Sequence, residues 1–110
     1  MITTSVFQEA KMKFQIELLP EAKTELFKIE KADRNKVIKD YKTIENYGSE
    51  FINIKALQDN LYEIKSDNVR SLFTYEKGQV IIIALVFIKK SQKTPKKYIN
   101  QAIKRLNDYE

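Results

Sequence analysis

Five lysines crowd a stretch of nine residues: Lys89, Lys90, Lys93, Lys96 and Lys97, with Thr94-Pro95 between them. Each lysine offers a compact positive charge with three donors. From Lys77 to Asn107 the chain has eight basic residues and no acidic one, whereas Met1 to Glu76 is near balance with 12 basic against 13 acidic. The whole excess behind the net charge of +5 therefore sits in one segment. Such a block attracts a polyanion, usually nucleic acid and sometimes an acidic protein; the plainer alternative is a solvated helix face that keeps the protein soluble.

The absent residue types narrow the chemistry. There is no cysteine, hence no disulfide framework and no thiolate metal site, and no histidine, the commonest acid-base group and transition-metal ligand. No paired or regularly spaced carboxylates suggest a two-metal nuclease. No cofactor is expected, and any reaction at the lysine cluster must be run by Lys, Arg or Tyr.

These lysines need a rigid support, and the residues before them supply it. Val80 to Ile88 is an unbroken apolar run rich in β-branched residues, opened by the turn pair Lys77-Gly78. It reads as a strand buried on both faces, and it is far shorter than the ~20 apolar residues of a membrane span. Thr94 is the expected N-cap of a following helix and Pro95 its first residue. A strand thus delivers the cations to its C-terminal end, where a helix begins.

Upstream, Lys13 to Leu18 alternates as a half-buried strand. Pro20 opens a helix with Ala22, Leu26 and Ile29 inward, and Asp33 is the expected cap of a second helix carrying Val37, Tyr41 and Ile44. Gly48 stands where a C-terminal glycine belongs. Strands are expected at Phe51 to Leu57, with Ile52, Ile54 and Ala56 inward, at Leu61 to Lys65, and after Ser66-Asp67-Asn68, with Val69, Ser71, Phe73 and Tyr75 on one side and Arg70, Leu72 and Thr74 on the other. The last helix buries Ile99, Ala102, Ile103 and Leu106. The order is β-α-α-β-β-β-β-α, an α+β fold with a mostly antiparallel sheet, helices on one sheet face and the C-terminal helix near an edge. Residues 1–11 read as an N-terminal extension without signal-peptide character and residues 12–110 as one domain, with Met12 an alternative start; the cytoplasm is the expected location.

Leu61-Tyr62-Glu63-Ile64-Lys65, then Arg70, then Phe87-Ile88-Lys89-Lys90-Ser91-Gln92-Lys93-Thr94-Pro95, then Ala102-Ile103-Lys104-Arg105-Leu106, resembles the RelE/HigB superfamily of type II toxin-antitoxin systems, in its phage-derived HigB-like branch. The resemblance runs from about Met12 to Tyr109. It implies a RelE-like fold, cleavage of mRNA in the ribosomal A site, and silencing by a cognate helix-turn-helix antitoxin. Two positions depart from the pattern: Lys65 stands where arginine is frequent, and Leu85-Val86 where a histidine-glycine or histidine-alanine pair is frequent. Lysine keeps the charge at position 65 but lacks the bidentate phosphate geometry of arginine.

RNA can be cut by its own 2′-OH, so the protein need only align the chain, move protons and stabilise charge on phosphate. On this reading the catalytic candidates are Lys65, Arg70, Lys89 and Lys90. Arg70 clamps the scissile phosphate, Lys65 and Lys89 are candidate bases, and Lys93 is placed to protonate the leaving oxygen. Arg70 has a structural alternative, a surface salt bridge to Asp67 or Glu63. Lys55, Lys93, Lys96, Lys97, Lys104 and Arg105 are the candidate RNA-binding residues, touching backbone phosphates without sequence choice. Two other classes stay open: a catalytically inactive RelE-fold module of phage origin that binds RNA or protein, and a protein-interaction domain with a basic tail.

Overall fold

The apolar run before the lysine cluster is the longest strand in the computed structural model, which describes residues 13–109. Strand β1 (Gln15–Leu18) leads into α1 (Pro20–Lys28) and α2 (Lys31–Tyr47), and a single 3₁₀ turn (Ser49–Phe51) follows. Then come β2 (Ile54–Gln58), β3 (Leu61–Ser66), β4 (Val69–Glu76), β5 (Val80–Ile88) and α3 (Lys96–Tyr109). The sheet order is β1-β5-β4-β3-β2, with β1 parallel to β5 and the other pairs antiparallel. The proposed extension at 1–11 and the alternative start at Met12 lie outside the described residues. No helix among those described is long and apolar enough to cross a membrane.

Both faces of the sheet are covered, which explains why β5 is apolar at every position. On one face the α1–α2 hairpin buries Ala22, Leu26, Val37, Tyr41 and Ile44 against Ile64, Val69, Phe73, Ile81, Ile83 and Val86. On the other, α3 lays Ala102, with Ile99, Ile103 and Leu106, over Leu61, Leu72, Ile82, Ala84, Leu85 and Phe87. The expectation of helices on one face with α3 at an edge is thereby corrected. Leu61 and Leu72, outward by strand parity, need a cover of their own, and α3 provides it.

Two irregularities re-aim side chains. Leu72 pairs with Leu85 but Phe73 pairs with Ile83, so Ala84 is an extra residue in β5. A shift between Ala56 and Gln58 brings Gln58 opposite Leu61; Leu57 packs on the α3 side and Ala56 is exposed, against its expected inward place. The strand expected from Phe51 starts instead at Ile54, because Ser49–Phe51 closes as a 3₁₀ turn with Phe51 exposed.

Local signals explain the helix ends. Gly48 adopts φ 94°, which a side chain resists, and its N–H returns to the Ile44 carbonyl as a helix stop. Asp33 is not the cap of α2: the helix starts at Lys31 after Glu30, and Asp33 lies in its first turn, favourable to the helix dipole. Inside the hairpin core, the Tyr41 hydroxyl hydrogen-bonds Ser71 Oγ at 2.7 Å. Burial pushes the ionisation of that phenol well above its ordinary range.

Candidate active site and nucleic-acid interface

Strand register gathers the catalytic candidates. Lys65 lies opposite Arg70, and Arg70 opposite Phe87, so the three share one row on the α3 face. The next row holds Lys55, Glu63, Leu72 and Leu85. Lys89 follows β5 directly, and its N–H donates to the Asn68 carbonyl at 2.7 Å, holding the strand end beside the β3–β4 turn. Lys65 and Lys89 are half-buried, whereas Lys55, Lys90 and Lys93 are exposed.

Arg70 is not a loose surface arginine. It is 8% exposed, and Nη1 donates to the carbonyls of Asp67 at 2.7 Å and Val69 at 3.1 Å. Its Nε lies 3.8 Å from Glu63 Oε2. Glu63 is itself 2% exposed, and its other oxygen, Oε1, accepts a hydrogen bond from the Thr94 hydroxyl. The salt bridge to Glu63 weighed as the alternative for Arg70 therefore exists, but in the interior. Thr94 in turn is not the side-chain cap of α3: its hydroxyl is committed to Glu63, α3 starts at Lys96, and the Pro95 carbonyl accepts the first amides, from Tyr98 and Ile99.

The flanking surface is aromatic and basic. Tyr98 stacks on Phe87 with ring centres 4.1 Å apart, and Lys97 Nζ lies 5.1 Å from the Tyr98 ring centre. Lys96 and Lys97 occupy the first turn of α3, where positive charge opposes the helix dipole and no local ion pair compensates among the described residues. Lys104, two turns along from Lys97, pairs at 3.1 Å with Asp108 on the open surface, a contact too solvated to hold it from a phosphate.

Arg105 stands apart from the other RNA-binding candidates. Its guanidinium makes a two-pronged pair with Glu25, 2.8 Å and 3.0 Å, and donates to the Ala84 carbonyl at 2.9 Å. The hydrogen-bonded carboxylate raises its pKa further. Glu25 Oε1 also accepts the Val86 N–H at 3.0 Å. Strand β1 ends opposite Ile83, so this pair takes over the free edge of β5 where β1 stops. In this fold Arg105 ties α3 to α1 and to the edge of β5, so three of its donor contacts are made within the protein.

The Glu63–Thr94 bond and the Phe87–Tyr98 stack go beyond the sequence reading, which has Thr94 as a helix cap and Glu63 as a surface partner of Arg70. One signal was present: strand parity puts Glu63 on the side of Leu61 and Arg70, so a carboxylate had to be buried or paired there. The assembled face offers a held guanidinium between two lysines, suited to phosphate, with an aromatic ring beside it suited to a base.

Several solved structures share this architecture. The RelE–RelB complex of Pyrococcus horikoshii is similar over 71% of this chain and 97% of that chain, with 16% identity and a TM-score of 0.61. The RelBE2 toxin-antitoxin complex of Mycobacterium tuberculosis gives 70%, 99%, 12% and 0.59 in the same order. The isolated RelE toxin of E. coli gives 84%, 98%, 16% and 0.55. At such identities the likeness shows the fold, which is that of RelE. No curated protein sequence matches the chain. The family model described as "Phage derived protein Gp49-like (DUF891)" matches residues 24–107, from the middle of α1 almost to the end of α3, and the chain belongs to that Gp49-like family.

Proposed function

We propose that this chain is the toxin of a type II toxin-antitoxin system, an endoribonuclease that cuts mRNA on the ribosome through the RNA 2′-OH and without a metal ion. The observation that carries the reading is the row Lys65–Arg70 with Lys89 beside it, on the sheet face of a RelE fold. Arg70, oriented by two carbonyls and a carboxylate, clamps the scissile phosphate and stabilises its developing charge. Lys65, opposite Arg70 in the strand register, and Lys89, at the end of β5, are the base candidates. Lys90 and Lys93 on the exposed loop approach the leaving oxygen, and Lys55, Lys96, Lys97 and Lys104 dock RNA backbone. The solved relatives include toxin–antitoxin complexes, which supports an antitoxin as partner; on this proposal the antitoxin is a helix-turn-helix protein and the site of action is the cytoplasm.

Induction in a bacterial host tests this: growth arrest with new mRNA 5′ ends inside translated regions is expected. Soluble protein with unchanged growth and unchanged mRNA ends would refute it. A second reading, an inactive RelE-fold module that binds RNA or protein, has one observation in its favour. Leu85 lies in the α3 core at 1% exposure, so that position brings no polar group to the site. That reading predicts binding to bare RNA or to a host protein without toxicity.

A further inference from the structure

We propose that Glu63 and Thr94 form a clasp that positions the site, fastening the lysine-bearing loop to the sheet and fixing the orientation of the Arg70 guanidinium in one unit. The clasp rests on the ribonuclease reading for its consequence but not for its geometry. Glu63 is inside the protein at 2% exposure, and its two oxygens face different elements. Oε1 holds Thr94, at the end of the loop that carries Lys89, Lys90 and Lys93; Oε2 faces Arg70 Nε at 3.8 Å.

Consider the loop alone. Its near end is pinned by the Lys89 amide on Asn68, and Ser91 bonds the Lys93 carbonyl within it. Without Thr94 on Glu63, the far end would be held only through the start of α3. Four lysines in that short reach, Lys89, Lys90, Lys93 and Lys96, repel one another, which favours an open loop. A buried carboxylate under the loop opposes the repulsion and draws the segment down onto the sheet.

Consider Arg70 next. Nη1 is committed to the carbonyls of Asp67 and Val69, and the Nε edge is turned to Glu63. The guanidinium is thus oriented from two sides before any phosphate arrives, and preorganisation of this kind raises rate at saturation more than it raises binding. Glu63 is not assigned the role of base: its Oε1 already accepts a hydrogen bond from the Thr94 hydroxyl and little solvent reaches it. It acts through Arg70 and the loop, as a positioning residue.

Three variants and two readouts test the clasp. Thr94→Val removes the hydroxyl with little change of shape, Thr94→Ser restores it, and Glu63→Gln keeps an acceptor but removes the charge facing Arg70. In single-turnover cleavage on programmed ribosomes, Thr94→Val is expected to slow the saturated rate by ~10-fold or more with little change in the half-saturating concentration. Thr94→Ser should recover most of that loss, and Glu63→Gln should slow cleavage while leaving the shape of the pH–rate profile as in the parent. Thr94→Val cutting at the parent rate, or Glu63→Gln deleting a limb of the pH profile, would overturn the positioning role. Amide hydrogen exchange gives the second readout, which needs no activity. Residues 89–94 should exchange faster in Thr94→Val than in the parent at equal melting temperature, and equal exchange would overturn the clasp. A parent protein that cuts nothing would refute the proposed function, while the exchange comparison would still decide the clasp.

Discussion

Replacing Arg105 with alanine removes three donated hydrogen bonds at once: two to Glu25 and one to the Ala84 carbonyl. It also leaves the Glu25 carboxylate, 29% exposed in its side chain, against the edge of β5 with no cation. Bonds of this charged kind contribute about 1.5–3 kcal/mol each when well buried. Here they are not independent, and the partly exposed carboxylate regains water, so the sum must be discounted. A net loss of about 2–3 kcal/mol is expected. For a domain of this size, 1 kcal/mol moves the melting temperature by about 4–8 °C, so a fall of about 10–20 °C follows. Thermal melts followed by circular dichroism at neutral pH would measure it, repeated at high salt, where a largely buried pair should lose little. Glu25→Gln should cost less than Arg105→Ala, because it keeps an acceptor for Val86. A drop below about 4 °C, with weakened binding to ribosomes at near-parent stability, would show that the guanidinium serves RNA and that its tie to Glu25 is dispensable.

Arg70→Ala should abolish cleavage but also strand a buried carboxylate, at a cost of about 2–4 kcal/mol, far above the ~0.5 kcal/mol of an exposed arginine; denaturant melts of the purified variant would check it, and a parent-like midpoint would contradict the burial of the pair. The Lys96→Ala/Lys97→Ala pair should weaken ribosome binding and flatten its salt dependence with cleavage at saturation intact, while Lys89→Ala or Lys90→Ala should slow cleavage even at saturation; loss of affinity alone in both sets would end this division. Tyr41→Phe leaves the Ser71 hydroxyl buried without its partner and should cost about 1–2 kcal/mol, most of it restored by adding Ser71→Ala, as a double-mutant cycle in urea would show. Because burial raises the Tyr41 ionisation in the folded state, the unfolded chain releases that proton first. The folded state therefore loses stability as pH rises above the phenol's unperturbed value of about 10, and the Tyr41→Phe/Ser71→Ala protein should lose less there.

The elements themselves were visible in the sequence because each carries a local signal. Nine apolar residues in Val80–Ile88, rich in β-branched types and short for a helix, read as a buried strand, Gly48 marks the end of α2, and Val37, Tyr41 and Ile44 repeat at helical spacing. The resemblance to the RelE/HigB superfamily, drawn from the motif strings around Lys65, Arg70 and Phe87–Pro95, agrees with the Gp49-like family match and the RelE fold. What local signals leave undetermined is which face receives which helix. Leu61 and Leu72 on the side opposite the hairpin, together with a β5 apolar at both parities, require a second cover, but only the register of β3, β4 and β5 shows that their apolar positions join into one patch long enough for α3.

The same gap explains every revision at the site. Arg70 reads as exposed while its face is taken to be open, and becomes a buried, oriented guanidinium once α3 and its preceding loop lie over that face. Thr94 has two possible partners, a helix amide close in sequence and a carboxylate 31 residues away; the distant one prevails because a buried Glu63 without a donor would be costly, whereas water reaches the exposed start of α3. Arg105 carries the same charge as Lys104, its neighbour, yet Lys104 faces solvent and Arg105 faces the edge of β5 beyond the end of β1, where Ala84 and Val86 have no β1 residue opposite them. Charge type alone thus does not separate cations that bind substrate from cations that hold the fold. What separates them here is whether a carboxylate or carbonyl has already claimed the donors. Arg105 has three of its donors claimed, Lys89 and Lys97 are unclaimed among the described residues, and Arg70 is held on two sides, as a clamp must be if it is to meet a phosphate without first reorganising.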